Sequence, residues 1–591
     1  SMLGEEVFGD EAYEFTWVGK RAAIAEAGRP IRKTLRPCPE ESRDWDTTEN
    51  LYIEGDNLDV LKLLQESYLG KVKMIYIDPP YNTGNDFIYR DNFSQSREEY
   101  DEEAGAFDEN GERLFKNMET NGQFHSDWCS MMYPRLVLAR NMLRDDGVIF
   151  ISIDDNEQNN LKKICDEIFG QDNFIGNISV IVKPEGRRYG FFAKTHEYVL
   201  VYSKKYQQTE LYDIEVEGAS YQYYDEVGGF NLKGLRNRNV QAFNSANRPN
   251  LRYPFYVQID NPDKDGLCSV STQELPGYCK VMPSTVNGLE SVWRWGKEKS
   301  TVQIKDLLAY KGNDGEIRVF QKERKLTQTA KTVWQSKEII SNKGTKELTE
   351  LLGKGIFDFP KPLELGRTIA HIGSTDNDII LDFFSGSATT AHAVMQLNAQ
   401  DGGNRKFIMV QLPEVTDEKS EAFKAGYKNI CEIGKERIRR AGDKIKAEAG
   451  LMAQNLDIGF RVLKLDDTNM NDVYYAAGDY TQDLILQMES NIKPDRTDMD
   501  LLYGCLLDWG LPLSMPHSHE KIDGFTAHTY NNGDLIACFE ERISEKAIRE
   551  IANRKPLRAV FRDSSFNSSP EKINVFEIFK LLAPNTNVRV I

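Results

Sequence analysis

The chain of 591 residues lacks the features of several protein classes. No apolar stretch approaches the ~20 residues that a membrane span needs, and no charged-then-apolar signal segment is found, so we expect a cytoplasmic protein. The eight cysteines include no CxxC pair and no cluster with histidine at metal-ligand spacing, which predicts reduced thiols and no metal site. A Walker-type GxxxxGK(S/T) segment is also absent, which argues against an ATP-driven activity within this chain.

The chain has fewer basic residues than acidic ones. Aspartate and glutamate number 92 against 74 lysines and arginines, which gives a net charge of −18. This balance argues at first against a nucleic-acid partner, but such binding depends on a local basic surface rather than on the total charge. The length predicts about three to five domains.

The apolar pattern divides the chain into five segments. Residues 1–48 are poorly periodic, which predicts an N-terminal extension. Residues 49–205 and 331–445 alternate strands with helices at a spacing typical of a doubly wound, mainly parallel α/β sheet. This rhythm is lost in residues 206–330, and residues 446–591 are predicted to form a separate C-terminal unit. Predicted strands lie at 51–53, 72–77, 147–153, 197–202, 379–382 and 407–410, and predicted helices at 57–67, 127–143, 157–169, 389–397 and 420–449.

The predicted strand 72–77 ends abruptly in Asp78-Pro79-Pro80-Tyr81. The Asp78 carboxylate is an acceptor, and the rigid prolines keep the Pro79 carbonyl out of any strand ladder as a second acceptor. Two such acceptors suit an exocyclic amine on a flat base, on which the Tyr81 ring can stack. Hydrogen bonds from the amine would localise its lone pair and stabilise the positive charge that develops during attack on a methyl sulfonium. Taken alone, the motif could also be a plain Pro-Pro turn with a capping aspartate.

A second strand, 379–382, runs into the small-residue turn "FFSGSATT" and then a helix. In this geometry a ligand can approach backbone N–H groups and a helix N-terminus. Alone, the turn could serve any nucleotide-like cofactor or none. Ligands of doubly wound sheets bind at the carboxyl ends of strands where the strand order reverses, so the two motifs can face one pocket.

At these residues the chain resembles the S-adenosylmethionine-dependent DNA amino-methyltransferases of the β class, in which DPPY precedes the cofactor motif. It is similar in particular to the modification (Mod) subunits of type III restriction–modification systems. The resemblance covers nearly the whole chain. It is carried by "YIDPPYNTGNDFIYRDNF", "WCSMMYPRLVLARNMLRDDGVIFISIDDNEQNNLKK", "KTHEYVLVYSK", "FPKPLEL", "DFFSGSATTAHAVMQLNAQDGGNRKFIMVQLPE" and "LLYGCLLDWGLPL".

The resemblance implies a Rossmann-like methyltransferase fold with circularly permuted motifs, built from a catalytic half (49–205) and a cofactor half (331–445). Residues 206–330 would be an inserted target-recognition domain, and residues 446–591 a C-terminal α/β domain that dimerises. The implied activity transfers a methyl group from S-adenosylmethionine to the N6 amine of a flipped-out adenine in double-stranded DNA. The implied partners are that DNA, a second copy of the chain and a restriction (Res) helicase–nuclease subunit.

The resemblance also implies roles for individual residues. The catalytic motif is Asp78, Pro79, Pro80 and Tyr81. The cofactor-binding set is Asp56, Lys361, Pro362, Asp382, Phe383, Phe384, Ser385, Gly386, Ser387 and Thr389, with Gln411 or Glu414 on the ribose hydroxyls. Family members usually carry a second glycine where this chain has Ala388. We expect Ala388 to begin the helix with a negative φ, where alanine costs little.

Basic residues are concentrated in Phe230 to Tyr256, a stretch without any acidic residue. Lysine and arginine interleaved with asparagine and aromatics can meet phosphates and base edges. A second basic-aromatic stretch, "KPEGRRYGFFAK", covers residues 183–194, and residues 82–93 are predicted to form a mobile loop beside the flipped base. The predicted DNA contacts are Asn82, Lys183, Arg187, Arg188, Lys233, Arg236, Arg238, Arg248 and Arg252. The alternative is a solvated loop whose arginines pair with the excess of acid.

Two other functions stay open on the sequence. Methylation of cytosine N4 uses the same amine chemistry, although those enzymes more often have serine at the position of Asp78. A recognition subunit with secondary catalysis, which positions a separate ATP-dependent nuclease, is consistent with the missing Walker segment. His517 and His519 are expected in a C-terminal loop and are too few for a metal site.

Overall fold

The computed structural model describes residues 14–84, 87–89, 114–116, 124–189, 191–215, 220–324, 326–453, 455–471 and 492–591. The chain divides into two compact units. The smaller unit consists of residues 213–330, and the larger unit of the residues before and after them. Within the described ranges, no helix is long and apolar enough to cross a membrane.

The first part of the larger unit precedes residue 213. Its strands are β1 (Lys33–Pro37), β2 (Leu51–Glu54), β3 (Val72–Ile77), β4 (Phe87–Tyr89), β5 (Leu114–Lys116), β6 (Leu143–Ile153), β7 (Phe174–Ile181), β8 (Arg187–Tyr189), β9 (Phe192–Lys194) and β10 (His196–Ser203). Its helices are α1 (Lys20–Ala27), α2 (Asn57–Tyr68), α3 (Phe124–Met142) and α4 (Gln158–Phe169).

The smaller unit is built mainly from short strands. These are β11 (Ile214–Glu215), β12 (Tyr223–Asp225), β13 (Gly228–Gly234), β14 (Phe255–Val257), β15 (Leu267–Cys268), β16 (Val270–Ser271), β17 (Cys279–Val281), β18 (Thr285–Val286), β19 (Leu289–Glu290), β20 (Leu307–Lys311), β21 (Ile317–Glu323) and β22 (Thr327–Gln328). Helix α5 (Lys297–Val302) belongs to the same unit. A five-stranded and a three-stranded sheet enclose its own apolar core, which contains Leu235, Phe255 and Trp293.

The larger unit resumes after residue 330. Its remaining strands are β23 (Val333–Trp334), β24 (Ile379–Asp382), β25 (Lys406–Gln411), β26 (Arg461–Asp467), β27 (His517–Ile522), β28 (Phe525–Tyr530), β29 (Leu535–Cys538), β30 (Arg558–Phe561) and β31 (Asn587–Val590). Its remaining helices are α6 (Ser341–Leu352), α7 (Leu363–Gly373), α8 (Thr389–Asp401), α9 (Glu421–Lys424), α10 (Ile430–Ala449), α11 (Asp498–Asp508), α12 (Glu545–Asn553) and α13 (Ser569–Leu582).

A ten-stranded sheet organises the larger unit, with the strand order β1-β26-β2-β25-β24-β3-β6-β10-β7-β23. All of these strands except β1 and β10 run in one direction, so the sheet is mixed and mainly parallel. Helices cover it, and β2 and β3 are buried along their whole length. Near-continuous apolar sequences such as that of β3 are typical of parallel strands buried on both faces.

The strand order reverses between β3 and β24. From β3 the chain crosses through α3 to β6 on one side, and from β24 it crosses through α8 to β25 on the other. In the parallel register, Leu381 of β24 lies opposite Ile75 of β3. Because ligands of doubly wound sheets bind beyond the carboxyl ends of strands at such a reversal, the fold places the candidate site just after Ile77 and Asp382.

Two strands of the central sheet lie in segments that the sequence predicts to be outside it. β1 comes from the predicted N-terminal extension and β26 from the predicted C-terminal unit, yet β26 pairs in parallel with β2, and β1 pairs antiparallel with β26. These residues therefore correct the predicted boundaries at 48 and 446. The physical reason is that the edge of β2 would otherwise present unpaired backbone groups.

The end of the chain forms a second, five-stranded sheet in the order β27-β28-β29-β30-β31. Helices α12 and α13 share an apolar core with it through residues such as Ile548, Phe561 and Ile578. His517 and His519, expected in a loop, lie instead in strand β27. The predicted helix 420–449 is two helices, α9 and α10, separated near Gly426, whose φ is 98°.

Helix α6 packs directly on a backbone segment that leads to the candidate site. A Cβ added at Gly344 would fall well inside van der Waals contact with the Pro360 carbonyl oxygen and 2.8 Å from the carbonyl carbon of Lys361. One turn later, Oε2 of Glu347 accepts a hydrogen bond of 2.8 Å from the N–H of Leu363, the first residue of α7. Glycine at this position therefore permits the approach that fixes residues 360–363.

The substitution Gly344→Ala tests this close contact. We expect it to lower the free energy of unfolding by about 1–3 kcal/mol, because backbone atoms rather than a flexible side chain must move. Urea unfolding followed by circular dichroism measures the change. Gly176→Ala in β7 is the matched control, since a Cβ there meets nothing within 4 Å. Equal losses in the two variants would contradict the assignment.

Candidate active site

The two motifs meet at one edge of the sheet. Asp78 follows β3 and Asp382 ends β24, and these strands are hydrogen-bonded neighbours. Burial raises the pKa of Asp382 to about 7, and the negative charge of Asp78 adds to this rise. Two residues distant in the sequence therefore share one site.

Lys361 lies at the centre of a compact polar cluster. Its Nζ atom is 3.3 Å from Oδ1 of Asp78 and donates hydrogen bonds to Oε1 of Glu197 at 2.8 Å and to the Tyr81 hydroxyl at 2.5 Å. The ammonium also lies 4.8 Å from the centroid of the Tyr81 ring, and that hydroxyl donates to Oε2 of Glu197 at 3.3 Å. One cation thus holds two carboxylates and a phenol together.

Burial and charge set the protonation of this cluster. Burial raises the pKa of Asp78, the positive charge of Lys361 opposes that rise, and Glu197 adds to it. Burial alone would lower the pKa of Lys361, but attraction to Asp78 and Glu197 raises it instead. Burial, Asp78 and Glu197 together raise the pKa of Tyr81 well above its usual value. At neutral pH Lys361 is therefore cationic and Tyr81 is a neutral phenol.

The prolines of the motif leave acceptors unused. The Pro80 carbonyl accepts a hydrogen bond of 2.7 Å from Nε1 of the buried Trp128. No donor among the described residues reaches the Pro79 carbonyl, and the buried Oδ1 of Asp78 accepts no hydrogen bond in the same set, although the Lys361 ammonium forms an ion pair with it at 3.3 Å. A buried acceptor without a donor is unusual in a protein interior, and it suits a site that receives a donor from a ligand.

The small-residue turn after β24 is held by side chains on both sides. Asp382 accepts hydrogen bonds from the N–H of Phe384 at 3.0 Å and from the Thr390 hydroxyl at 2.5 Å. The N–H of Gly386 donates to Oε1 of Gln411 at 2.7 Å. Within the described residues, the buried hydroxyl of Ser385 has no partner. The turn is thus fixed in shape while it keeps a polar group unpaired.

Ala388 has a left-handed backbone, with φ 60° and ψ 39°, and immediately precedes α8. The expectation of a negative φ is therefore wrong. The N–H of Ala388 bonds to the carbonyl of Ser385 at 2.7 Å, which closes a tight turn immediately before α8. Non-glycine residues adopt it at a cost of about 1–2 kcal/mol, so alanine is strained where glycine would not be.

A buried arginine braces the strained position. Nη1 of Arg437, from α10, donates to the hydroxyls of Ser387 at 2.9 Å and Thr389 at 2.6 Å, one on each side of Ala388. Its Nε and Nη2 have no partner among the described residues, and burial lowers its pKa to about 10. Arg437 remains charged at neutral pH and ties the turn to α10.

Asp56 links the site to α2. Its Oδ1 caps that helix by accepting from the N–H of Leu58 at 2.8 Å, and its Oδ2 lies 3.3 Å from Nη2 of the buried Arg135. The next residue, Asn57, donates from Nδ2 to the Phe383 carbonyl at 2.7 Å. The start of α2 is therefore bound to the small-residue turn.

The two residues proposed for the ribose differ in what surrounds them. Gln411 is buried, and its amide oxygen is already engaged by Gly386. Glu414 has no side-chain hydrogen bond within the described ranges, and burial raises its pKa. Pro362 lies beside Lys361 as the residue that precedes α7, and the rings of Phe383 and Phe384 pack on each other in the core.

Several known proteins are similar to this chain. A family model described as DNA methylase matches residues 72–439. The solved M1.HpyAVI–SAM complex is 12% identical with a TM-score of 0.27, over 66% of this chain and 98% of that one. The StyLTI Mod subunit of Salmonella typhimurium is 37% identical over 76% of this chain and 65% of its own length. The EcoPI Mod subunit of Escherichia phage P1 is 32% identical over 95% of this chain and 88% of its own length.

This chain belongs to the Mod subunits of type III restriction–modification enzymes. It is a DNA methyltransferase with an α/β fold and a mixed sheet.

The basic residues of this Mod subunit differ in whether other groups of the protein pair with them. In the smaller unit, Arg252 is engaged internally by the carbonyls of Pro283 and Ser291, and Lys233 pairs with Glu323. Four arginines of the smaller unit form no ion pair within the part of the chain that the structure describes. They are Arg236, Arg238, Arg248 and Arg294.

The predicted contacts of the larger unit also differ from one another. Asn82 is buried and donates to Oε1 of Glu157 at 2.6 Å, so its amide is not presented to solvent. Of the predicted loop 82–93, residues 85, 86 and 90–93 lie outside the described residues. The N–H of Lys183 bonds to the Thr195 carbonyl at 3.1 Å, and Arg187 and Arg188 lie in strand β8.

Several residues of this Mod subunit's site were not predicted from the sequence. Glu197 is the second residue of β10, where an acid before the apolar run "YVLVYS" was the available signal. Arg135, Trp128 and Arg437 occur in helices α3 and α10, where nothing in the spacing distinguishes them from surface or core residues.

Replacement of Asp382 by asparagine tests the buried carboxylate. Burial raises the pKa of Asp382 from 3.8 to about 7, so between these values the folded protein holds a proton that the unfolded chain has released. The free energy of unfolding therefore falls as the pH rises between these two pKa values. Asparagine does not titrate. Its oxygen can accept from the N–H of Phe384, while its NH2 group would donate to the Thr390 hydroxyl.

From pH 5 to pH 8, we expect the cofactor-free wild type to lose about 2 kcal/mol of unfolding free energy relative to Asp382→Asn. Urea unfolding at the two pH values measures the difference. A pH-independent difference between the two proteins would show that Asp382 is not a buried titrating group.

Proposed function

We propose that this Mod subunit transfers a methyl group to the N6 amine of an adenine that is flipped out of double-stranded DNA. The observation that carries the proposal is the pair of oxygens, Oδ1 of Asp78 and the Pro79 carbonyl, that accept no hydrogen bond among the described residues and lie next to the small-residue turn after β24. An exocyclic amine offers two N–H donors to such a pair, and a base inside a duplex cannot reach it without flipping.

Each residue of the cluster has its own role in the proposed reaction. Oδ1 of Asp78 and the Pro79 carbonyl accept the two N–H groups of the amine and make its lone pair more available. The Tyr81 ring supports the base, and Lys361 fixes the phenol from the other side. The positive charge of Lys361 also limits the rise that burial causes in the pKa of Asp78. After transfer the amine carries one proton in excess, and the carboxylate of Asp78, with its raised pKa, is placed to accept it.

The turn from Asp382 to Thr389 fits S-adenosylmethionine. Its unpartnered buried Ser385 hydroxyl and its fixed backbone suit the polar methionine end of that molecule. Asp56 would face the adenine, the Lys361-Pro362 backbone would lie alongside, and Glu414 would bind the ribose hydroxyls because Gln411 is engaged. When bound, S-adenosylmethionine supplies an electrophilic methyl group on a sulfonium.

DNA recognition is assigned to the smaller unit together with residues 183–194. Arg236, Arg238 and Arg248 would contact phosphates and base edges, since no local acid neutralises them. Asn82 would anchor the loop beside the base through Glu157 rather than touch DNA. The protein would act in the cytoplasm as a homodimer, and a Res subunit would cleave unmodified DNA. Cytosine N4 methylation is the alternative, because its amine would present the same donors.

Substitution of Asp78 tests the reaction. We expect Asp78→Ala to lower the rate of methyl transfer to DNA by about 100-fold or more, while cofactor binding persists. Transfer is measured with radiolabelled S-adenosylmethionine and plasmid DNA, followed by nucleoside analysis of the product. Asp172→Ala removes an exposed aspartate and serves as the matched control.

Each product identifies one function. N6-methyladenine from the wild type supports the proposal. N4-methylcytosine would replace it by the alternative, and full activity in Asp78→Ala would remove the carboxylate from the mechanism.

A double substitution in the smaller unit tests the DNA assignment. We expect Arg236→Ala/Arg238→Ala to weaken DNA binding and to reduce the slope of log K against log salt by about 2, because two phosphate contacts are lost. Fluorescence anisotropy across a salt series gives both quantities. Arg318→Ala is the control, since that side chain already pairs with Asp314 and Glu316. An unchanged slope in the double variant would refute the assignment.

A further inference from the structure

Two adjacent phenylalanines are the most exposed large apolar side chains in the described residues. Phe191 is 99% exposed and Phe192 is 88% exposed. They lie at the tip of the short hairpin of β8 and β9, in which Tyr189 pairs with Phe192. Isolated exposed apolar residues are common, but two large rings side by side at a tip are a feature of interaction surfaces.

The hairpin rises from the edge of the sheet that carries the active site. It connects β7 to β10, and β7 runs in the same direction as β3 and β6. The hairpin therefore starts at the same carboxyl edge as the DPPY motif. Directly after it, Glu197 contacts both Lys361 and the Tyr81 hydroxyl. Only Thr195 and His196 therefore separate the end of β9 from a residue that contacts Tyr81.

The base of the hairpin is fixed. The N–H groups of Val182 and Lys183 both bond to the Thr195 carbonyl. Lys194 forms ion pairs with Asp154 at 3.2 Å and Asp155 at 3.1 Å, at the end of β6. Gly186, with φ +70°, packs against Ala193 so closely that a Cβ would collide with it. The aromatic tip is thus presented on a braced support.

The sequence around the tip selects one kind of partner. Besides Lys194, which pairs with Asp154 and Asp155, residues 183–194 contain three basic residues and one acid, in a chain whose net charge is −18. A basic stem with an aromatic tip matches a ligand that is anionic outside and made of flat apolar rings inside. Duplex DNA has that composition, whereas a second copy of this acidic chain offers negative charge without a stack of flat rings.

We propose that Phe191 and Phe192 insert into the DNA base stack at the target and occupy the space that the flipped adenine leaves. This inference rests on the proposed function. Apolar wedges between base steps compensate for lost stacking in other proteins that distort DNA. Here the wedge and the acceptor site share one sheet edge, so a base can leave the stack on one side while the rings enter it on the other.

The test uses the whole protein and a duplex that contains the methylated site, mapped first by single-molecule sequencing of modified plasmid. 2-Aminopurine at the target position reports flipping by a rise in fluorescence. For Phe191→Ala/Phe192→Ala we expect at least a fivefold smaller rise and at least tenfold slower methylation of the duplex. Phe576→Ala, which removes an exposed ring from α13, should behave as the wild type.

A second substrate separates a wedge from a merely structural effect. When the target adenine is mismatched, less work is needed to flip it, so methylation by the double variant should recover to within about threefold of the wild type. Binding of S-adenosylmethionine and the melting temperature should be unchanged. A wild-type fluorescence rise in the double variant, or no recovery on mismatched DNA, would overturn the proposal.

Two further outcomes would each lead to a different conclusion. Loss of the dimer in light scattering of the double variant would assign the tip to contact between copies instead of DNA. No methylated adenine from the wild type would overturn the proposed function and, with it, the wedge.

Discussion

The ammonium group of Lys361 is the interaction on which the rest of the site depends. It contacts Asp78 and Tyr81, which follow β3, and Glu197, which lies at the start of β10. Without it, two carboxylates would be buried side by side without a counter-charge, an arrangement that strongly destabilises folded proteins. The structural details that fix the Lys361 backbone, the glycine contact of α6 and the hydrogen bond from Leu363 to Glu347, therefore also fix the counter-charge beside Asp78.

This requirement also accounts for the topology. Lys361 and Tyr81 are 280 residues apart in the chain, and they meet because β24 enters the sheet directly beside β3. The intervening residues include a unit with its own core and its own sheets, which contributes no strand among β1–β3, β6, β7, β10 and β23–β26. A large insertion of this kind is compatible with a continuous ten-stranded sheet, because both ends of the inserted segment rejoin the unit that contains that sheet.

Much of the core was predictable because local sequence decides it. β3 and β24 match their predicted bounds, and the ends of α2 and α4 differ by one residue, since buried apolar runs and caps are encoded nearby. The partners of Lys361 were not predictable, because Glu197 reaches it only through the fold. The positions of β1 and β26 depend on the unpaired edge of β2, which is distant in the sequence. The φ of Ala388 depends on a turn that the side chain of Arg437 holds from α10.

Ala388 gives the turn a property that glycine would not. A glycine turn samples many backbone conformations before a ligand arrives, and ordering it on binding reduces affinity. The alanine has fewer conformations to lose, and Arg437 already holds both of its neighbours. The turn is therefore ordered before a ligand binds. The conformational entropy of the turn is lost when the chain folds rather than when the ligand binds, and the folded state contains a strained residue as a result.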